Sequence, residues 1–144
     1  IMAPKKDGVG MSETMEKAMA DVGIDASEVD YISAHGTSTM LNDLYETMAI
    51  KKVFGDKASS IAVSSQKSMI GHTVGAAGVI EGIVATMSIK NGLLTPTLNL
   101  HKPDPDLDLD FVPNVSRKDN IKIALSNSFA FGGHNATLVF RKYK

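Results

Sequence analysis

The chain has 144 residues, 43% of them hydrophobic and 22% charged, with a net charge of −1, and that length suits one domain with a real core. No basic excess or polybasic block points to nucleic acid or a membrane surface, and the longest apolar stretch, residues 75–89, is broken by Glu81 and too short to span a bilayer. No secretory leader is legible, the absence of cysteine rules out a disulfide framework, and the start at Ile1 reads as a piece of a longer protein.

Asp7-Gly8 breaks the opening loop. Met11, Met15, Ala18, Met19 and Val22 then recur at helical spacing, and Gly23 sits where a helix-ending glycine belongs. Residues 29–34 read as a short buried strand that delivers His35. Asn42 or Asp43 is the expected cap of a second helix, with Tyr45, Met48, Ala49 and Val53 as its apolar stripe and Gly55 at its end. Residues 61–63 form a second strand. Gly75-Ala76-Ala77-Gly78 leads into a third helix, whose wide face of Val79, Ile80, Ile83, Val84 and Met87 predicts deep burial before Asn91-Gly92 stops it. Four prolines punctuate residues 96–113. Residues 121–126 and 136–140 are two last strands, joined by a turn-rich stretch at 127–135.

This order predicts an α/β fold with a mixed, mostly parallel sheet, covering helices and a C-terminal β-hairpin. Such a unit ordinarily opens with a strand, and this one opens with a loop and a helix. The expectation is therefore a missing first strand. In open sheets of this kind the first strand is often central, so its loss would leave two unpaired strand edges.

Two segments carry the chemistry. Ala34-His35-Gly36-Thr37-Ser38-Thr39 and Lys67-Ser68-Met69-Ile70-Gly71-His72 each place a histidine among small or hydroxyl residues just past a strand. Open α/β sheets bind ligands at the carboxyl ends of their strands. Two imidazoles at neighbouring strand ends can aim donors at one oxygen as it gains negative charge. Thr37 and Thr39 can hydrogen-bond an extended polar arm. Lys67 is a cation on the same loop as His72, with Asp43 and Glu46 as candidate partners; those two also suit a helix N-terminus. The helix after His72 is expected to bias that imidazole against protonation. Phe129-Ala130-Phe131-Gly132-Gly133 reads either as a glycine-rich turn with core aromatics or as an aromatic gate with a flexible backbone N–H. Asp104, Asp106, Asp108 and Asp110 alternate like a calcium loop, but Leu109 and Val115 stand where glycine and glutamate are needed, so the run reads as a solvated edge. No zinc pattern is present, and His101 and His134 read as surface or loop residues.

His35-Gly36-Thr37-Ser38-Thr39, Lys67-Ser68-Met69-Ile70-Gly71-His72, Gly75-Ala76-Ala77-Gly78 and Asn127-Ser128-Phe129-Ala130-Phe131-Gly132-Gly133 together resemble the β-ketoacyl-[acyl-carrier-protein] synthases, and among them the elongating synthase II type of bacterial fatty-acid synthesis. The likeness runs over essentially the whole chain and matches roughly the last third of such an enzyme. It implies the thiolase-like fold of two similar halves, a homodimer, a cytoplasmic enzyme and an acyl carrier protein as partner. The activity implied is condensation of a cysteine-held acyl group with malonyl-carrier protein, with loss of carbon dioxide. No bound cofactor is implied; phosphopantetheine arrives as the carrier's substrate arm.

By the resemblance, His35 and His72 donate to the malonyl thioester oxygen, and Lys67 is the active-site lysine, paired with Glu46. Thr37 and Thr39 contact the pantetheine arm. Phe131 is the gating residue whose N–H serves an oxyanion hole beside Gly132, with Phe129 on the same loop. The nucleophilic cysteine belongs to the family's N-terminal part, and this chain has none. Two departures stand out: Met40 where proline is usual, and Ala130 where glycine is usual. The first is expected to shift the pantetheine loop, and the second to restrict the gate if that position needs positive φ. Related thiolases carry a second cysteine in this half, and starter synthases use His and Asn, so the His/His pair favours the elongating class. A non-catalytic partner of the chain-length-factor kind would lose such residues; a stand-alone thioester-binding module would need its opening strand.

Overall fold

A computed structural model describes residues 6–143. Lys5 lies outside them, as does the side chain of Lys6, so their suggested part in an acidic partner's footprint has no structural account. Helix α1 is Val9–Val22, strand β1 Tyr31–Ser33, helix α2 Met40–Phe54 and strand β2 Ala62–Ser64. A one-turn helix α3, Lys67–Ile70, precedes helix α4, Ala77–Asn91. Strands β3, Leu93–Leu94, and β4, Arg117–Lys118, form a small antiparallel ribbon around a long loop. Strands β5, Ile123–Phe129, and β6, Asn135–Arg141, complete the chain.

The main sheet has the order β2-β1-β5-β6. The first three strands are parallel and β6 returns antiparallel as the hairpin partner of β5. Strand β5 runs further than the sequence suggests, so Asn127, Ser128 and Phe129 lie in the ladder and not in the turn. The expected central gap is absent. Tyr31 pairs directly with Ala124, and Ser33 with Ser126, so β1 and β5 are neighbours and the sheet is not split.

Strand alternation divides the core. Ile32, Val63 and Leu125 face α1 and α2 with Met11, Met15, Ala49 and Ile50. Tyr31, Ala62 and Ala124 face α4 with Ala85, Ile89 and Leu94. The result is three layers, helices over both faces of one sheet. Helix α1 ends as expected: Gly23 adopts φ 63 and its N–H reaches the Met19 and Ala20 carbonyls.

Two helix faces differ from the sequence reading. In α2 the buried positions are Asn42, Glu46, Thr47, Ala49, Ile50 and Phe54, while Met48 is exposed. Neither Asn42 nor Asp43 caps it; Thr39 holds the N-cap position without a side-chain bond. Both lie within the first turn: Asp43 accepts the Ser38 N–H of the preceding loop, while Asn42 donates to the Asp43 and Glu46 carboxylates inside the helix. In α4 the expected face points outward, with Val79 67% and Ile83 58% exposed. The sheet-facing side uses small residues, Gly82, Ala85 and Ser88. A Cβ at Gly82 would stand 3.1 Å from the Phe140 ring, so any side chain there would press on that ring. A helix that is apolar all round belongs inside a larger body. Here Val79, Ile83, Met87 and Leu138 line an apolar groove of about 420 Å³.

Candidate active site

Parallel strands β1 and β2 end side by side at Ser33 and Ser64. The chain beyond each carries one histidine. The His35 and His72 rings come within 5.6 Å, centroid to centroid, nearly perpendicular at 84°. Phe129, at the end of β5, lies edge-on to His35 at 6.1 Å. Phe129 is therefore a buried wall of the site, whereas Phe131, on the turn that follows, is 71% exposed.

Each ring has a distinct setting. The Val74 N–H donates to His72 Nδ1 at 3.2 Å. An accepting Nδ1 places the proton of the neutral ring on Nε2. His35 is buried, and its pKa falls from 6.5 to about 4 through burial first, then the charge of Lys67, then that of His72. The bias toward neutral imidazole at His35 thus comes from burial and a neighbouring cation.

Lys67 does not pair with Glu46 or Asp43. Its ammonium is bound by Glu81 of α4, and the two side chains are only 6% and 2% exposed. Burial pushes the Glu81 carboxyl up, against the pull of Lys67. Glu46 has another task. Its carboxylate accepts the His35 N–H at 3.0 Å and the Gly36 N–H at 2.9 Å. Asn127 Nδ2 donates to it at 3.3 Å, and Thr137 donates to the Asn127 oxygen at 2.9 Å. Burial raises the Glu46 pKa, while the backbone N–H groups favour its charged form. Asp43 accepts from the Ser38 N–H at 3.2 Å, holding a residue at φ 61; burial raises its pKa as well. Both carboxylates fix the loop that presents His35.

Gly36 has φ 42, and a Cβ there would meet the Ser65 side chain at 2.6 Å. Ser65 Oγ donates to the Gly36 carbonyl at 2.7 Å, tying the two histidine loops together. Thr37 and Thr39 lie at the open side with their hydroxyls 3.0 Å apart. Ala130 is extended, at φ −115 and ψ 164, a conformation open to alanine; positive φ falls on Gly132 and Gly133. Met40 is the exposed first residue of α2. His101 and His134 are exposed. Of the aspartate run, Asp108 pairs with Lys51 and Asp110 with Arg117.

Among the described residues, the buried side-chain atoms without a hydrogen-bond partner are His35 Nδ1, Thr73 Oγ1 and Glu81 Oε2. Buried polar atoms are ordinarily paired. That all three sit in or beside the site marks it as the place where the chain holds unused hydrogen-bonding capacity.

Residues 1–101 match the C-terminal domain of the beta-ketoacyl synthase family. The chain belongs to this family. It is 51% identical, over its whole length, to a Synechocystis protein named 3-oxoacyl-[acyl-carrier-protein] synthase 2, and 50% identical to the Staphylococcus aureus protein of that name. It spans 35% of the length of each, about a third. Among solved structures, a type II PKS acyl-carrier protein in complex with its ketosynthase bound to the hexaketide superposes with a TM-score of 0.97 at 40% identity, covering 99% of this chain and 35% of that one. The fold is that of the thiolase-like ketosynthases.

Within this ketosynthase domain, Glu81, Asn127, Ser65 and Gln66 are site-building residues that the sequence reading did not single out. Glu81 had a signal: it is the one charged residue in the apolar run 75–89. A carboxylate inside such a run needs a buried partner. Asn127 opens the 127–133 motif, but its bond to Glu46 has no local signal, and Ser65 and Gln66 have none, because these roles depend on contacts between distant segments.

The depressed His35 pKa gives a signed expectation. Between about pH 6.5 and about pH 4 the unfolded chain takes up a proton that folded His35 refuses. The unfolded state then binds more protons, so stability rises with pH across this window and is lost as pH falls through it. Thermal midpoints of the complete protein are expected to drop from about pH 7 to about pH 5, and to drop less in His35→Gln. Equal drops in the two proteins would show that His35 is not the group responsible.

Proposed function

We propose that this chain is the C-terminal part of an elongating 3-oxoacyl-[acyl-carrier-protein] synthase and supplies the decarboxylating half of its site. The observation that carries the reading is the pair of adjacent, nearly perpendicular imidazoles, His35 and His72, 5.6 Å apart beside a buried Lys67. Two N–H donors converging on one point suit a malonyl thioester oxygen. As the bond between the α-carbon and the carboxylate breaks, carbon dioxide leaves and the electron pair passes into an enolate whose oxygen both rings stabilise. The enolate carbon then attacks an acyl thioester, and the cysteine sulfur departs as thiolate. That cysteine must come from outside this chain, which has none.

The likeness to the synthases supports the other roles. Thr37 and Thr39 hold the phosphopantetheine arm at the open side. The exposed Phe131 swings as a gate, and its N–H faces the oxyanion of acyl transfer. Glu46 and Asp43 position His35. The partners are an acyl carrier protein, the preceding part of the same enzyme and a second copy, in the cytoplasm. A carrier protein is part of the similar ketosynthase complex noted above. The retained His35, His72 and Lys67 weigh against a non-catalytic partner subunit.

The test is an assay of the complete protein and of this chain alone with acyl- and malonyl-carrier protein. The complete protein is expected to release carbon dioxide and form the 3-oxoacyl product. The chain alone is expected to form none. Turnover by the chain alone, or none by the complete protein, would defeat the reading.

A further inference from the structure

We propose that Gln66 is a positioning residue, a buried amide that sets the His35 loop against the Lys67–His72 loop. Strands β1 and β2 share backbone hydrogen bonds only as far as the Ser64 carbonyl, which accepts from the Ala34 N–H at 2.9 Å. Beyond that point no backbone hydrogen bond joins the two loops among the described residues, and side chains hold their spacing. Gln66 sits one residue before Lys67 and is 1% exposed. Its Oε1 accepts from Ser33 Oγ at 2.7 Å, and Ser33 lies two residues before His35. Its Nε2 donates to the Tyr31 hydroxyl at 2.9 Å and to Thr95 Oγ1 at 3.0 Å. The Tyr31 hydroxyl also bonds Ser64 Oγ at 2.9 Å. One amide therefore links β1, the end of β2 and the segment after β3.

Its backbone anchors the same loop. The Gln66 carbonyl accepts the Met69 and Ile70 N–H groups at 2.9 and 3.1 Å, closing the α3 turn. Tyr31, Ser33 and Ser64 are buried as fully as Gln66. Burying this many hydroxyls around one amide is costly unless every member is paired, and a fully paired network holds a unique geometry. An apolar side chain of similar length would fill the space without dictating spacing. The Ser65–Gly36 bond is a second tie between the loops, so losing Gln66 loosens the site without dismantling it.

The inference rests on the ketosynthase reading. Its test uses the complete enzyme carrying Gln66→Met and, separately, Thr95→Val. Gln66→Met is expected to slow malonyl-carrier decarboxylation about tenfold in kcat, since small misplacement of reacting groups is costly. The KM for malonyl-carrier protein and the rate of cysteine acylation, followed by mass spectrometry, should stay within about twofold, because neither needs both imidazoles on one oxygen. Thr95→Val removes one of the three Gln66 bonds and should show the same split, smaller. That variant decides the matter if Gln66→Met does not fold. Decarboxylation and acylation falling in proportion, or a Thr95→Val enzyme with wild-type decarboxylation, overturns the inference alone. A wild-type enzyme that never decarboxylates overturns the ketosynthase reading and this inference with it.

Discussion

Substituting His35→Ala or His72→Ala in the complete enzyme is expected to cut malonyl decarboxylation by at least about 10²-fold, the usual cost of losing one preorganised oxyanion donor. The expectation follows from geometry. The rings lie 5.6 Å apart; burial beside Lys67 keeps His35 neutral, and the Val74 N–H on Nδ1 leaves the His72 Nε2 as donor. Acyl transfer to the cysteine should survive in part, because that step is proposed to draw on the Phe131 loop and a nucleophile outside this chain. Carbon dioxide release and acyl-enzyme mass report the two steps separately. Normal decarboxylation in either variant would remove that histidine from the mechanism. The Glu46 carboxylate grips the backbone at His35 and Gly36, so Glu46→Gln should produce a weaker form of the His35 defect.

The sequence disclosed the parts of this site that are local. A strand that runs almost directly into a histidine and a glycine predicts a ligand-facing loop at His35, whereas His72 lies beyond β2 and the one-turn helix α3 and reaches the site by that longer route. Gly36 shows why the motif is compact: its positive φ and the Ser65 side chain leave no room for a Cβ. The illegible parts depend on long-range packing. Lys67 and Glu81 lie on different helices, and nothing in their spacing pairs them, whereas Glu46 looked the nearer partner until its oxygens were seen to be taken by backbone N–H groups. The apolar stripe on α4 faces away from the sheet, because Gly82 and Ala85, which pack on the sheet, contribute little hydrophobicity to the sequence pattern. The β1–β5 pairing is equally illegible: helices α2, α3 and α4, strand β2 and a long loop lie between the two strands, and no local signal crosses them.

The Lys67–Glu81 pair supplies the second large effect. Glu81→Leu leaves an ammonium buried without its partner, and breaking such a pair from one side costs about 3–5 kcal/mol. Lys67→Met together with Glu81→Leu removes both charges, and replacing a buried pair by apolar residues is often neutral or stabilising. The double variant is therefore expected to regain most of the thermal midpoint that Glu81→Leu loses. Catalysis should not return with it. Lys67 is one of the charges that holds the His35 pKa down, so its loss should let that pKa move back up and shift the acid limb of decarboxylation to higher pH. Unfolding midpoints and pH–rate profiles of the wild type, the two single variants and the double variant make the cycle complete. A double variant as unstable as Glu81→Leu would mean that shape at this position matters more than charge. A double variant with wild-type decarboxylation and an unmoved acid limb would leave the pair a purely structural clamp, with Lys67 playing no part at the imidazoles.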